Sequence, residues 1–119
     1  MAREFEAGDN LIFQLESGFG LLRVLGAEVT ETGLIWHLAA FEDLFLDTET
    51  AEAALLTPEN LRVSIPHMAM TNRAFERTPT ARLTNHPVSA EETQRIADWQ
   101  ANPQAEAVDR SALQMLGLR

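Results

Sequence analysis

Three histidines and nine arginines are the only basic side chains in this 119-residue chain, which has no lysine, cysteine or tyrosine. Those residue types decide what chemistry is open to it. A histidine can take or give a proton near neutral pH. An arginine fork can hold a carboxylate or phosphate through two parallel hydrogen bonds. Without lysine there is no Schiff-base chemistry and no phosphate-loop lysine. Without cysteine there is no disulfide, thiol nucleophile, iron–sulfur cluster or thiolate zinc site. A zinc site would have to draw on His37, His67, His86 and carboxylates, and these histidines lack the short spacings that mark such sites. Neither a metal nor a cofactor is expected.

The stretch from Ile65 to Arg77 gathers the most reactive side chains. It joins a proline break to His67, Asn72, Arg73, Glu76 and Arg77, interleaved with Met68, Met70 and Phe75. Converging, His67, Arg73 and Glu76 could bind an anion or pass a proton. The competing reading is a packed connection whose Arg73 and Arg77 pair with surplus carboxylates. His37 is the second candidate, set beside Trp36. A strand histidine can be a general base, or simply a ring that packs and hydrogen-bonds locally. Trp36 marks a binding face if exposed and core if not. The candidate binding residues are therefore Trp36, His37, His67, Arg73, Glu76 and Arg77, with no catalytic residue assigned. No serine lies in a Gly-x-Ser-x-Gly elbow, and Gly18-Phe19-Gly20 lacks the third glycine of a dinucleotide fingerprint.

Eighteen acidic residues give a formal charge of −9. Nucleic-acid binding needs a basic surface, so that class is not expected. A basic protein partner is favoured electrostatically. The exclusive use of arginine reads as compositional bias. The N-terminus is polar, without an apolar leader, and no run approaches the ~18 apolar residues of a membrane helix. A cytoplasmic location without membrane contact follows as the expectation.

The elements that must position these residues follow from periodicity. Residues 11–15, 19–25 and 34–41 read as three strands of an antiparallel meander, with turns at Gly8-Asp9-Asn10, Glu16-Ser17-Gly18 and from Gly26 through 28–33. Leu34, Trp36, Leu38 and Ala40 share one face of the third strand; Ile35, His37, Ala39 and Phe41 share the other. A helical insertion starts at Asp47 or Thr48 and runs to about Leu56. Residues 61–65 read as a fourth strand. Pro66 must end it, bulge it or sit on an edge, and 67–77 extends the strand or forms a loop. Residues 81–84 form a weak fifth strand. Ser89 and Glu92 have capping-box spacing, opening a helix to about Ala101 with Ile96 and Trp99 facing the core. Residues 104–108 read as linker. Asp109 caps a last short helix that Gly117 ends; its apolar face packs on its own domain or on a second copy, making a homodimer a candidate. Strands first and helices last mean α+β: one domain with a small curved antiparallel sheet, a helical insertion and two C-terminal helices.

The segments Gly8-Asp9-Asn10-Leu11-Ile12-Phe13-Gln14-Leu15 and Gly18-Phe19-Gly20-Leu21-Leu22-Arg23-Val24-Leu25 resemble the opening of SH3-like small barrels. Among these they are most similar to bacterial immunity proteins of polymorphic toxin systems. The resemblance covers roughly the first 40 residues. It implies a small-barrel tendency and a module that neutralises a toxin by binding it, and it carries over no site residue. Two functions are thus expected: a non-enzymatic protein-binding module, or a small-molecule or anion site, or small enzyme, using His37, His67 and Arg73.

Overall fold

The computed structural model describes residues 4–118. Five strands form one antiparallel sheet in the order β4-β3-β2-β1-β5: β1 Asp9–Leu15, β2 Gly18–Thr30, β3 Gly33–Phe41, β4 Val63–Thr71 and β5 Thr80–Asn85. The helices are α1 Thr48–Ala54, α2 Asn72–Glu76, α3 Ala90–Ala101 and α4 Ala112–Leu116, with a 3₁₀ turn at Pro58–Asn60. The expected α+β class is what forms. The sheet is curved but open, with β4 and β5 as its two edges. Among the described residues, no helix is long and apolar enough to cross a membrane.

Strand periodicity divides the side chains between two faces. Leu11, Phe13, Leu22, Val24, Trp36, Leu38, Met68 and Met70 point to the first face, where Phe5, Phe75 of α2 and Ala112 of α4 close over them. Ile12, Leu21 and Phe41 point to the second, against Ala51 and Leu55 of α1. The rest of the second face lies under α3, where Ile96 approaches Gly26. Both faces are therefore covered, which is why the strands carry apolar residues on both sides.

Two bulges decide which side chains reach the second face. In β2, Val24 faces Leu38 but Gly26, not Leu25, faces His37. The extra residue reverses the alternation, so Glu28 stands on the face opposite Leu22 and Val24. In β4, Met68 faces Leu38 while Ile65 faces Ala40, leaving Pro66 and His67 opposite Ala39. Ile65 and Met68 are three apart, so both can pack on the first face only if the strand bulges between them.

Several boundaries differ from the periodicity. β2 runs to Thr30 through the expected turn, which shrinks to Glu31 and Thr32. β4 passes Pro66 and reaches Thr71; Pro66 is tolerated because β4 is an edge and bulged there. The segment read as strand or loop is both strand and helix, β4 followed by α2. The last helix is capped by Ser111 in a capping box with Gln114, not by Asp109, whose carboxylate accepts from Thr71 instead.

The packing makes a direct prediction. Gly20 lies against the Phe13 ring, and a methyl group there would sit 2.4 Å from Cζ of Phe13. Gly20→Ala should lower stability by roughly 1–3 kcal/mol through overpacking, read from urea unfolding. Combining it with Phe13→Leu should return part of that loss, so the double mutant will cost less than the two single costs added.

Candidate functional site

The second face carries every feature that looks like a site. Its framework is Arg23, which β2 places between Asn10 of β1 and Ala39 of β3. Arg23 is 9% exposed, so all five of its N–H groups need acceptors. Nε donates to Glu92 Oε2 at 2.6 Å and Nη2 to Oε1 at 3.1 Å. Nη1 donates to the Gly8 carbonyl and to Asn10 Oδ1. Nη2 also reaches the carbonyls of His86 and Pro87. Arg23 thus ties the turn before β1, the β5–α3 connection and the first turn of α3 to one point.

The local sequence prepares each acceptor. Gly8 has φ +94°, and a Cβ there would lie 2.5 Å from the His86 carbonyl, so only glycine brings its carbonyl to Arg23. Glu92 accepts from the Ser89 amide while Ser89 Oγ accepts from the Glu92 amide, the expected capping box. One carboxylate therefore caps α3 and neutralises Arg23. The hydrogen bond from Arg23 holds the Glu92 carboxyl below its ordinary value, against its partial burial.

Between α3 and the 3₁₀ turn lies a groove of about 580 Å³. Ala39 and Phe41 form its floor, Pro58 and Val63 one wall, and Glu91 and Arg95 of α3 the other. Glu59 and Glu91 set carboxylates at its rim. Arg95 donates to the Pro66 carbonyl at 3.1 Å and reaches Glu91 at 3.4 Å.

Beside the groove, still under α3, the sequence candidates His37 and His67 meet. His37 is 1% exposed. Its Nε2 is 2.8 Å from Glu28 Oε1 and its Nδ1 is 2.9 Å from His67 Nε2. The rings are stacked with centroids 5.1 Å apart, and the Trp99 ring meets His37 edge-on. The carboxylate can only accept, so His37 carries its proton on Nε2 and, when neutral, accepts at Nδ1 from His67. Burial first, then repulsion from His37 and from Arg95, pushes His67 down to about 4.

The other candidates lie elsewhere. Arg73 pairs with Asp109 in an exposed ion pair, and Arg77 donates to the Asp109 carbonyl. Glu76 accepts from Asn72. His67, Arg73 and Glu76 do not converge, because α2 turns the chain away after β4 and Asp109 takes Arg73. The packed-connection reading describes Arg73, which pairs with a carboxylate, while Arg77 reaches a backbone carbonyl instead. Trp36 is 3% exposed, stacked on Phe75 and donating to Asn72 Oδ1; it belongs to the core, not to a binding face. His86 lies near Asn10, its Nδ1 3.2 Å from Asn10 Nδ2. Among the described residues no group of three or more histidines and carboxylates could hold a metal ion. Sequence reasoning missed Arg23, Glu28 and Arg95. Of these only Arg23 carries a local signal, a charged residue in the apolar strand run Leu21-Leu22-Arg23-Val24-Leu25, and that signal does not name its partners.

No family model, no curated protein and no solved structure matches this chain.

The Arg23–Glu92 pair makes two predictions. Arg23→Ala should cost about 3–5 kcal/mol, because it strands a part-buried carboxylate and frees several carbonyls; Arg23→Lys should recover little, lacking the fork. The Glu92 carboxyl is lowered on folding, so its contribution is present above the unfolded value near 4.5 and is lost as pH falls through the folded value. The stability gap between wild type and Glu92→Gln should therefore narrow from about pH 5 to about pH 3, measured by urea midpoints across that range.

Proposed function

We propose that the protein is a non-enzymatic binding module that holds a basic protein partner through the β3–β4 connection and the groove beside it. The observation that carries this reading is the make-up of that connection. Between Glu42 and Glu59 there are six carboxylates and no arginine. The same segment holds Leu46 at 85% exposure and Leu56 at 79%, with Leu44 also exposed. Leucines left in water amid carboxylates give an apolar contact with an acidic surround, the arrangement that suits a partner with apolar groups set among arginines and lysines. Leu56 leads directly into Pro58, Glu59 and Val63 at the groove, so the surface and the groove adjoin.

Two further points support the reading. The groups best suited to chemistry are committed to one another: Arg23 to Glu92, His37 to Glu28 and His67, Arg73 to Asp109. The resemblance of the opening segments to immunity proteins of toxin systems implies the same mode of action, neutralisation by binding. The alternative, a small-ligand site on His37, His67 and Arg73, has the contact between His37 and His67 in its favour, but Arg73 is held by Asp109.

The test is affinity capture from the native cell with the full chain as bait, followed by binding measurements on the purified partner. A stoichiometric basic protein should be recovered, with affinity falling as salt rises. Leu56→Ser should weaken it by about tenfold, in the range of a single interface anchor, and Glu52→Arg with Glu59→Arg should slow association. A partner whose affinity is unchanged by all three substitutions and by salt would overturn the assignment, as would capture that recovers no stoichiometric protein.

A further inference from the structure

Glu28, His37 and His67 stand on three successive strands, β2, β3 and β4, and form a chain of hydrogen bonds running across the sheet. The middle member is buried and the last is half-buried. Helix α3 lies over the chain through three residues: Trp99 against both rings, Gln100 donating to Glu28 Oε2 at 3.0 Å, and Arg95 at the Pro66 carbonyl beside His67. The charged and titratable groups facing the pair are thus Glu28 from β2, and Arg95 with its partner Glu91 from α3. No residue in this chain is taken by the Arg23 framework, and none lines the groove.

We propose that the Glu28–His37–His67 chain is an acid-sensitive latch that holds α3 on the sheet when neutral and releases it when the histidine pair is fully protonated. One added proton is tolerated. It enters at the outer nitrogen of His67, and the bond between the rings survives because one N–H still lies between the facing nitrogens. A second proton leaves both facing nitrogens as N–H donors at 2.9 Å, with no acceptor between them. Two like charges then lie beneath Trp99 and next to Arg95. Moving α3 away lets water reach His67 and relieves both effects. The first turn of α3 remains tethered by Arg23 to Glu92, so the release runs from Arg95 to the C-terminal end, and the Arg95 side of the groove moves with it.

The sign follows from linkage. His67 is held to about 4 under α3, against 6.5 when free, so docking of α3 is fully supported above pH 6.5 and weakens as pH falls towards 4. The undocked form binds the extra proton throughout that window. Each unit of pH in the window weakens docking by up to ~tenfold, reduced by the partial exposure of His67.

Hydrogen exchange and histidine ring NMR on the intact chain test the latch. From about pH 7 to about pH 4.5 the protection factors of α3 amides from Arg95 to Ala101 should fall at least tenfold, while those of Leu22 and Leu38 in the sheet hold. In His67→Gln, which keeps an amide donor but cannot charge, α3 protection should stay level over that range. Trp99 emission should be quenched in step with His67 protonation in the wild type. Equal loss of α3 protection in wild type and His67→Gln would overturn the latch. Should that variant fail to fold, the wild-type titration decides alone: a His67 ring that protonates near 6.5 with α3 protection unchanged also overturns it.

Discussion

Arg23 is the one side chain whose demands the surrounding structure is built to meet. A guanidinium cannot shed its charge and cannot leave its donors bare away from water. Its acceptors come from the turn at Gly8, from Asn10, from the carbonyls of His86 and Pro87, and from Glu92. The farthest of those partners, Glu92, lies 69 positions from Arg23 in sequence. Satisfying them fixes where the chain enters β1, how it leaves β5 and where α3 begins. The Glu92 carboxylate joins these requirements to helix capping, so the start of α3 is set by the sheet as much as by its own sequence. The α3 wall of the groove and the part of α3 that lies over the histidine pair inherit their position from that contact.

Much of this frame was legible from local patterns, and the physical reason is that those patterns act locally. The meander of the first three strands, the cap at Asp47, the Ser89–Glu92 box and the glycine that ends the last helix all depend on residues a few positions apart. Trp36 and His37 take the faces the two-residue period gives them, because β3 carries no insertion between Gly33 and Leu38. What failed involved bulges and long-range partners. The polar residues after Glu28 make that segment look like turn, yet β3 pairs with β2 as far as Thr30. A strict two-residue period would also have put Glu28 on the wrong face, since nothing local announces the extra residue at Leu25.

The candidate site was half legible. His37 and His67 both stand out in the sequence, and they do touch, but the sequence leaves open whether the stretch from His67 to Arg77 converges or packs. Its parts instead face different neighbours. Asp109 illustrates the reason: as a good capping residue it fits the helix two positions on, but Thr71 and Arg73 compete for the same carboxylate and Ser111 is available to cap. Where two local signals of similar strength sit within two residues, the tertiary partner chooses between them. Arg23 shows the opposite limit. An arginine in an apolar strand signals that acceptors must surround it, but not which carbonyls they are.

Pro66 has a bearing on how the molecule meets copies of itself. An open sheet presents two edges, and each is a template on which a further strand could assemble. Along β4 that template is dismantled piece by piece. Val108 already exchanges backbone hydrogen bonds with Ala69 and Thr71 at the far end. Pro66 has no amide proton to offer, its carbonyl is occupied by Arg95, and the bulge beside it breaks the repeat a flat neighbour would need. Strand-by-strand growth is thereby discouraged on one side of the sheet. A chain with five paired strands and a half-apolar composition is left with β5 as its single open edge for that kind of association among the described residues.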